Sequence, residues 1–108
     1  MHEQTYEEIV SARWQAVLED ENVHVRRIAE RAVREPVLRP LFPFGSHNDL
    51  WFSRRVEHPY DRNLPHIHTT FDEYEARAED NSVLCSGDIE TVVVRVTRAM
   101  EATGVARK

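Results

Sequence analysis

Two pairs of residues near the middle of the chain, Ser46-His47 and Ser53-Arg54, are the first that could do chemistry. An imidazole titrates near neutral pH and can act as a general acid or base, and a guanidinium can hold a developing anion. We therefore name His47 and Arg54 as candidate catalytic residues. The alternative is a turn in which Ser46 bonds backbone amides and His47 packs beside Phe44.

A pair of histidines, His66 and His68, is separated by a single residue. On a strand this spacing places both imidazoles on one face, where they can contact a ligand. A zinc site needs at least three protein ligands, and no other possible donor stands at a recognised ligand spacing. We therefore predict no metal and no cofactor. The alternative to ligand binding is a polar pair across a hairpin, with Glu75 or Arg77 as the partner.

Aromatic residues lie close to these candidates in the sequence: the run 42–44, Trp51 and Tyr60. They can line a groove for an apolar small molecule or a peptide, or they can close the core between helices and sheet. The sequence leaves both interpretations open. The candidate ligand-binding residues are Phe42, Phe44, Ser46, Trp51, Ser53, His66 and His68.

The composition restricts the functions that these residues can serve. The chain has 108 residues and a formal net charge of −5, whereas nucleic-acid binding requires a basic surface. Three glycines are too few for a glycine-rich phosphate loop, which argues against a nucleotide-dependent enzyme. The lone Cys85 is more typical of a small buried side chain than of an activated thiol. Because neither a bilayer-spanning apolar run nor a signal-peptide pattern is present, we expect a cytoplasmic protein.

Two helices are predicted at the N-terminal end. Thr5 and Glu8 fit a capping box, and the apolar residues behind them share one helical face, which predicts a helix over about 6–19. The run Asp20-Glu21-Asn22 ends this helix and caps a second one, which should end near Arg34 because Pro36 disfavours helical geometry in the residue before it. With so short a connection, the two helices are expected to pack as a hairpin.

The remaining residues predict an antiparallel meander. We expect an ordered apolar loop over 36–43, a turn over 45–48 and a strand over 50–56. A hairpin of residues 66–71 and 74–78 and a short strand over 83–86 follow. Asp88 and Gly104 then cap a C-terminal helix. The fold class is therefore α+β: one domain over 1–108 in the order ααββββα, with three to four strands, helices on one face and the other face partly open.

The segment 36–54 contains a Pro-x-Leu-Arg element at 36–39, an aromatic-Pro-aromatic step at 42–44, Ser-His at 46–47 and Leu-x-Phe-Ser-Arg at 50–54. Leu64-Pro65 precedes a second strand, and a C-terminal helix follows. This pattern resembles a family of small actinobacterial domains of unknown function that is associated with natural product biosynthesis. The resemblance covers most of the chain from about Arg13 onward. It implies a role in, or beside, a secondary-metabolite pathway and carries no catalytic mechanism.

Three functions are compatible with these features. The first is an accessory protein that binds a pathway enzyme, a peptide or an intermediate. It would bind through residues 42–48 and the sheet face that carries Trp51, Ser53, His66 and His68, and arginines of the second helix would meet acidic groups of the partner. The second is a cofactor-free cyclase or isomerase that uses His47 as acid or base and Arg54 to stabilise an anion. The third is a homodimer whose open sheet face is the interface. We expect neither a nucleic-acid nor a membrane partner.

Overall fold

The computed structural model describes residues 3–105, and its N-terminal helices begin at the caps that the sequence predicts. Helix α1 spans Tyr6–Leu18 and opens with the capping box of Thr5 and Glu8, in which each side chain accepts a hydrogen bond from the other residue's backbone N–H. Helix α2 spans Val23–Ala32 behind the Asn22 cap and ends two residues before the predicted Arg34. The local capping signals therefore locate both helix starts correctly.

Within residues 3–105 the sheet contains five antiparallel strands in the order β1-β2-β3-β4-β5, more than the three to four that the sequence predicts. The prediction of a loop over 36–43 is wrong for residues 42 and 43, because residues 42–46 form a strand that pairs with the next one. Pro43 lacks an N–H donor, but this strand lies at the sheet edge, where the missing donor is tolerated. The strands are β1 Phe42–Ser46, β2 Asp49–Ser53, β3 His66–Thr69, β4 Tyr74–Arg77 and β5 Val83–Gly87.

Strand β2 ends at Ser53, three residues before the predicted end. Beyond this point the backbone N–H groups donate to side-chain oxygens and not to a neighbouring strand. The N–H of Arg54 donates to Oδ2 of Asp61 at 2.8 Å, and Oγ of Ser53 accepts from the N–H groups of Arg55 and Asp61 at 2.9 and 3.0 Å. These bonds turn the chain into residues 54–65, which we call the returning segment. Its course decides how much of the sheet remains open.

Helix α3 spans Ile89–Thr103, with Asp88 as N-cap and Gly104 in the left-handed conformation at its end, as the sequence predicts. Helices α2 and α3 pack on one face of the sheet, and α1 packs against β1. A row of apolar residues runs across the sheet beneath α2 and α3, where Leu50 pairs with Ile67 and Ile67 with Ala76. All three have no exposed surface, so this row is the floor of one core.

The pairing of β2 with β3 is far shorter than that of the other strands. A single register pair, Leu50 with Ile67, joins them, whereas β1 and β2 share five pairs and β3 and β4 share four. The hairpin β1–β2 and the meander β3–β5 therefore meet at a seam with little backbone pairing. Side chains at this seam have to supply the remaining contacts.

Candidate functional site

The strand register places the candidate binding residues on the sheet face that α2 and α3 leave free, which we call the outer face. Phe44 pairs with Trp51, and directly opposed residues of antiparallel strands project to the same side. Residues on either side of the inward Ile67 project outward in the same way. The outer face thus carries Phe42, Phe44, Ser46, Trp51, Ser53, His66 and His68.

The aromatic side chains of the outer face are stacked on one another. The ring centroids of Trp51 and His66 lie 3.6 Å apart with their planes at 9°, and Phe44 stacks on Trp51 at 6.2 Å. Tyr60 of the returning segment packs on Phe42 at 5.1 Å and on Phe44 at 4.9 Å. We call these five residues the aromatic layer. Phe44 is 3% and His66 1% exposed, so the layer is packed against the returning segment and is not a hollow.

Two arginines complete the cover of the aromatic layer. The guanidinium of Arg62 lies 5.2 Å from the ring centroid of Trp51, and that of Arg13 lies 5.2 Å from the ring centroid of Phe42. Arg13 also donates from Nε to the carbonyl of Pro43 at 3.0 Å, which ties α1 to the sheet edge. These cation–π contacts occupy the ring faces that an aromatic ligand would need.

His66 is engaged on both ring nitrogens. Nδ1 lies 3.0 Å from the carbonyl oxygen of Leu64, and Nε2 lies 3.0 Å from Oδ1 of Asn81. Burial lowers the pKa of His66 below its usual value of 6.5, although these hydrogen bonds act in the opposite direction. These two contacts fix the ring in place within the core. Its nitrogens are already used by the protein.

His68 has a partner on another strand, Asp49, that the sequence does not predict. Nδ1 of His68 lies 2.9 and 3.0 Å from the two carboxylate oxygens of Asp49, and Oδ1 of Asp49 also accepts from the N–H of Thr69 at 3.0 Å. These bonds cross the β2–β3 seam and replace part of its missing backbone pairing. The His68 side chain is 34% exposed, so this Asp–His pair is also accessible to a ligand. The sequence gives no sign of this pair, because Asp49 lies 19 residues from His68 and the two meet only through the strand pairing.

The two candidate catalytic residues do not meet. His47 lies in the turn between β1 and β2 and is exposed, and Arg54 follows the other end of β2. The strand between them spans about 14 Å, too far for both to act on one reacting group. Arg54 is bonded from Nε to Asp61 at 3.2 Å. Burial alone would raise the pKa of Asp61, but the hydrogen bonds from Arg54 and Ser53 lower it below its usual value.

A groove of about 470 Å³ lies between α1 and the segment 33–40, away from the outer face. Trp14 holds its two walls together, because its indole Nε1 donates to the carbonyls of Arg39 and Leu41 at 2.9 and 3.0 Å. The rim carries the charged side chains of Glu7 and Arg39. Its lining residues are Tyr6, Glu7, Val10, Ser11, Trp14, Val33, Pro36, Arg39 and Pro40. Ligand sites of proteins are commonly apolar clefts of this size with a few polar groups.

The structure brings no metal-binding group and no activating neighbour to the remaining candidates that it describes. Among residues 3–105, no group of three or more His, Cys, Asp or Glu side chains is arranged to hold a metal ion. Cys85 is a half-buried free thiol that packs against the core. No helix in this described part of the chain is long and apolar enough to cross a membrane.

The comparisons with known proteins identify one relationship. The model of a family of unknown function, DUF6193, matches residues 8–106. No curated protein and no solved structure matches the chain. The match begins at Glu8 in α1 and extends past the end of α3, so it includes the outer face and every lining residue of the groove except Tyr6 and Glu7.

Proposed function

The chain belongs to the family of unknown function DUF6193, and we propose that it is a small accessory protein of a natural-product pathway that binds an apolar intermediate in the groove between α1 and residues 33–40. The observation that carries the proposal is the groove itself, a preformed apolar cleft of about 470 Å³. The pathway assignment rests on the resemblance of residues 36–54 to the natural-product-associated family.

The groove favours a ligand with an apolar body and an anionic group. Val10 and Trp14 form its apolar floor and are 4% and 3% exposed. Arg39 donates from Nε to the carbonyl of Val33 at 2.9 Å, which fixes its guanidinium at the rim. A guanidinium held in this way can bind a carboxylate or a sulfonate. Glu7 at the same rim can accept a hydrogen bond from a hydroxyl or amine of the ligand.

The first test uses 1-anilinonaphthalene-8-sulfonate, an apolar dye with one anionic group, and follows its fluorescence with the full chain. Ser11 is exposed on the groove side of α1, so Ser11→Trp should fill the groove and weaken dye binding at least tenfold. Ala12 is also exposed but lies on the opposite side of the helix. Ala12→Trp is therefore the matched control and should bind the dye like the native chain.

The charge at the rim is tested separately. Arg39→Gln should weaken dye binding several-fold at low salt, and less at high salt because exposed charges are screened. Arg34→Gln removes the same charge from an exposed position that does not line the groove and should leave binding unchanged. If Ser11→Trp binds the dye as well as Ala12→Trp does, the groove is not the binding site and the proposal fails.

The pathway role is tested in the native host by deleting the gene and measuring the metabolites that it produces. Deletion should reduce one secondary metabolite, and the chain with Ala12→Trp should restore it. The chain with Ser11→Trp should not restore it, although the variant folds. Normal metabolite levels in the deletion strain would contradict the pathway assignment while leaving the groove as a binding site.

A second candidate function is that of a cofactor-free enzyme with His68 as its acid or base, favoured by the Asp49–His68 pair. A carboxylate that accepts from Nδ1 orients the imidazole and leaves the other ring nitrogen free for proton transfer. His68→Gln should then abolish conversion of the intermediate while dye binding to the groove persists. An accessory protein instead keeps its effect in the host after this substitution.

A further inference from the structure

The two edge strands of the sheet differ in how they are protected. At β1, α1 packs along the strand, Pro43 removes one backbone donor, and Arg13 occupies the carbonyl of Pro43. Within residues 3–105, β5 has no strand neighbour on its outer side. It contains neither a proline nor a charged residue, and Val83 is 50% exposed. Natural proteins usually block a free edge with charge, proline, a bulge or a covering element. The pairing of β5 with β4 is irregular between Ala76 and Arg77, where Leu84 is an extra residue, but the strand carries neither charge nor proline. The backbone of residues 85–87, beyond this irregularity, is therefore suited to accept another strand.

Acidic side chains lie at both ends of this edge. Glu79 and Asp80 precede β5, and Asp88 and Glu90 follow it; all four are exposed. Asp80 accepts hydrogen bonds from the N–H and hydroxyl of Ser82, and Asp88 caps α3. These bonds lower the pKa of both aspartates, so their carboxylates stay ionised near neutral pH. Glu90 is bonded to Arg31, so Glu79, Asp80 and Asp88 supply the main negative charge at the two ends.

We infer that the outer edge of β5 accepts an extended segment of a protein partner, with a short apolar core and a lysine or arginine at each end. The segment would add a sixth strand to the sheet through backbone hydrogen bonds. Its apolar core would cover the exposed Val83 and the half-exposed Leu84. Its basic ends would lie beside Asp80 and Asp88, which gives the edge a charge preference that backbone pairing alone lacks.

The same charges argue against a second copy of this chain as the occupant. An antiparallel pairing of β5 with itself about Leu84 would place Asp80 of one copy opposite Asp88 of the other. About Cys85, it would place Asp80 opposite Glu90. The first arrangement brings two aspartates together, and like charges directly opposite each other are destabilising. The second brings Asp80 toward Glu90, whose charge is shared with Arg31, so its repulsion is weaker. A partner with basic ends avoids this repulsion.

The test uses three synthetic peptides: a Thr-Val-Thr-Val-Thr core between two arginines, the same core between two glutamates, and the arginine peptide with proline at its central position. Titration followed by NMR gives their affinities for the full chain. At low salt the arginine peptide should bind at least tenfold more tightly than the glutamate peptide. Hydrogen exchange should slow at the amides of β5, and the proline peptide should not produce this protection because it lacks a central donor.

The matched variants remove the negative charges at the ends of β5 and keep the turn and the helix cap that these residues form. Asparagine replaces aspartate well at caps and Asx turns, so the double variant Asp80→Asn, Asp88→Asn should fold and bind the arginine peptide about three- to tenfold more weakly. Asp20→Asn is the control, because Asp20 makes the same kind of turn bond to the N–H of Asn22 away from β5.

Equal affinity for the arginine and glutamate peptides would overturn the inference, as would protection of amides elsewhere than in β5. A dimer in sedimentation whose β5 amides become protected with rising concentration would also overturn it, since the occupant would then be a second copy. None of these outcomes depends on the groove, so this inference and the proposed function can fail independently.

Discussion

The aromatic layer and the groove are built from the same kinds of side chain but differ in what covers them. In the layer, Phe44 and Trp51 are covered by Tyr60 and Arg62 of the returning segment. In the groove, the indole N–H of Trp14 bonds two carbonyls of the opposite wall and holds it in place, and a cleft remains above the ring. The position of a neighbouring segment, and not aromatic content, therefore decides which apolar surface is available to a ligand.

The largest expected effect separates these two regions by stability. Phe44→Ala should lower the free energy of unfolding by about 3–5 kcal/mol, because it removes a 3%-exposed ring and leaves a cavity beneath Tyr60. Urea unfolding followed by circular dichroism measures this loss. Dye binding to the groove, measured on the folded fraction, should not change.

Val33→Ala provides the matched truncation in the groove wall. Val33 is only half-buried, so the loss of unfolding free energy should stay near 1 kcal/mol, while dye binding should weaken. A stability loss below about 1 kcal/mol for Phe44→Ala would mean that the aromatic layer is open and would remove the distinction between the two regions.

The helices were predicted well because their signals are local. The Thr5–Glu8 capping box, the cap within residues 20–22 and the Gly104 terminus each act within a few residues, and each is confirmed. Strand β1 was assigned to a loop because Pro43 is unfavourable in a strand unless the strand lies at an edge. Edge position is a property of the whole sheet, so the residues of the strand itself do not reveal it.

The candidate site was harder to predict than the fold because its contacts join distant residues. His66 and His68 lie on the same face of the sheet because alternate residues of a strand project to one side, and the sequence predicts this correctly. The partner of His68 comes from another strand, and the groove joins α1 to a segment more than twenty residues away. One signal for the groove was available: the apolar face of α1 with Tyr6, Val10 and Trp14 is broad, and a proline-rich segment covers it incompletely.

A smaller effect concerns the titratable ring inside the aromatic layer. Because burial lowers the pKa of His66 below 6.5, the unfolded chain binds a proton at this ring more readily than the folded chain. The free energy of unfolding should therefore fall as the pH drops below about 6.5, by at most about 1.4 kcal/mol per pH unit. Urea unfolding between pH 7.5 and 5.5 measures this slope. The lowered pKa of Asp61 acts only below about pH 4, outside this window.

Two histidine variants show whether His66 causes the pH dependence of the free energy of unfolding. His66→Gln should be less stable at every pH but should lose most of the slope between pH 7.5 and 5.5. His58→Gln, at an exposed histidine, should retain it. If the His66→Gln chain kept the pH dependence of the native chain, His66 would not be the buried titrating group. The aromatic layer would then be more hydrated than the 1% exposure of His66 indicates.

The smallest effect concerns His47, which lies outside both regions. Its φ of 59° is in the left-handed range, which costs a residue with a Cβ about 1–2 kcal/mol and costs glycine little. Its side chain is exposed, and its contact with Asn22 is made by the carbonyl oxygen, which every substitution keeps. Thermal unfolding should therefore rank His47→Gly above His47→Ala by about 1 kcal/mol. Both variants should restore the metabolite in the deletion strain, because the turn requires a backbone conformation and not an imidazole; failure of both, with the fold intact, would return His47 to the list of catalytic candidates.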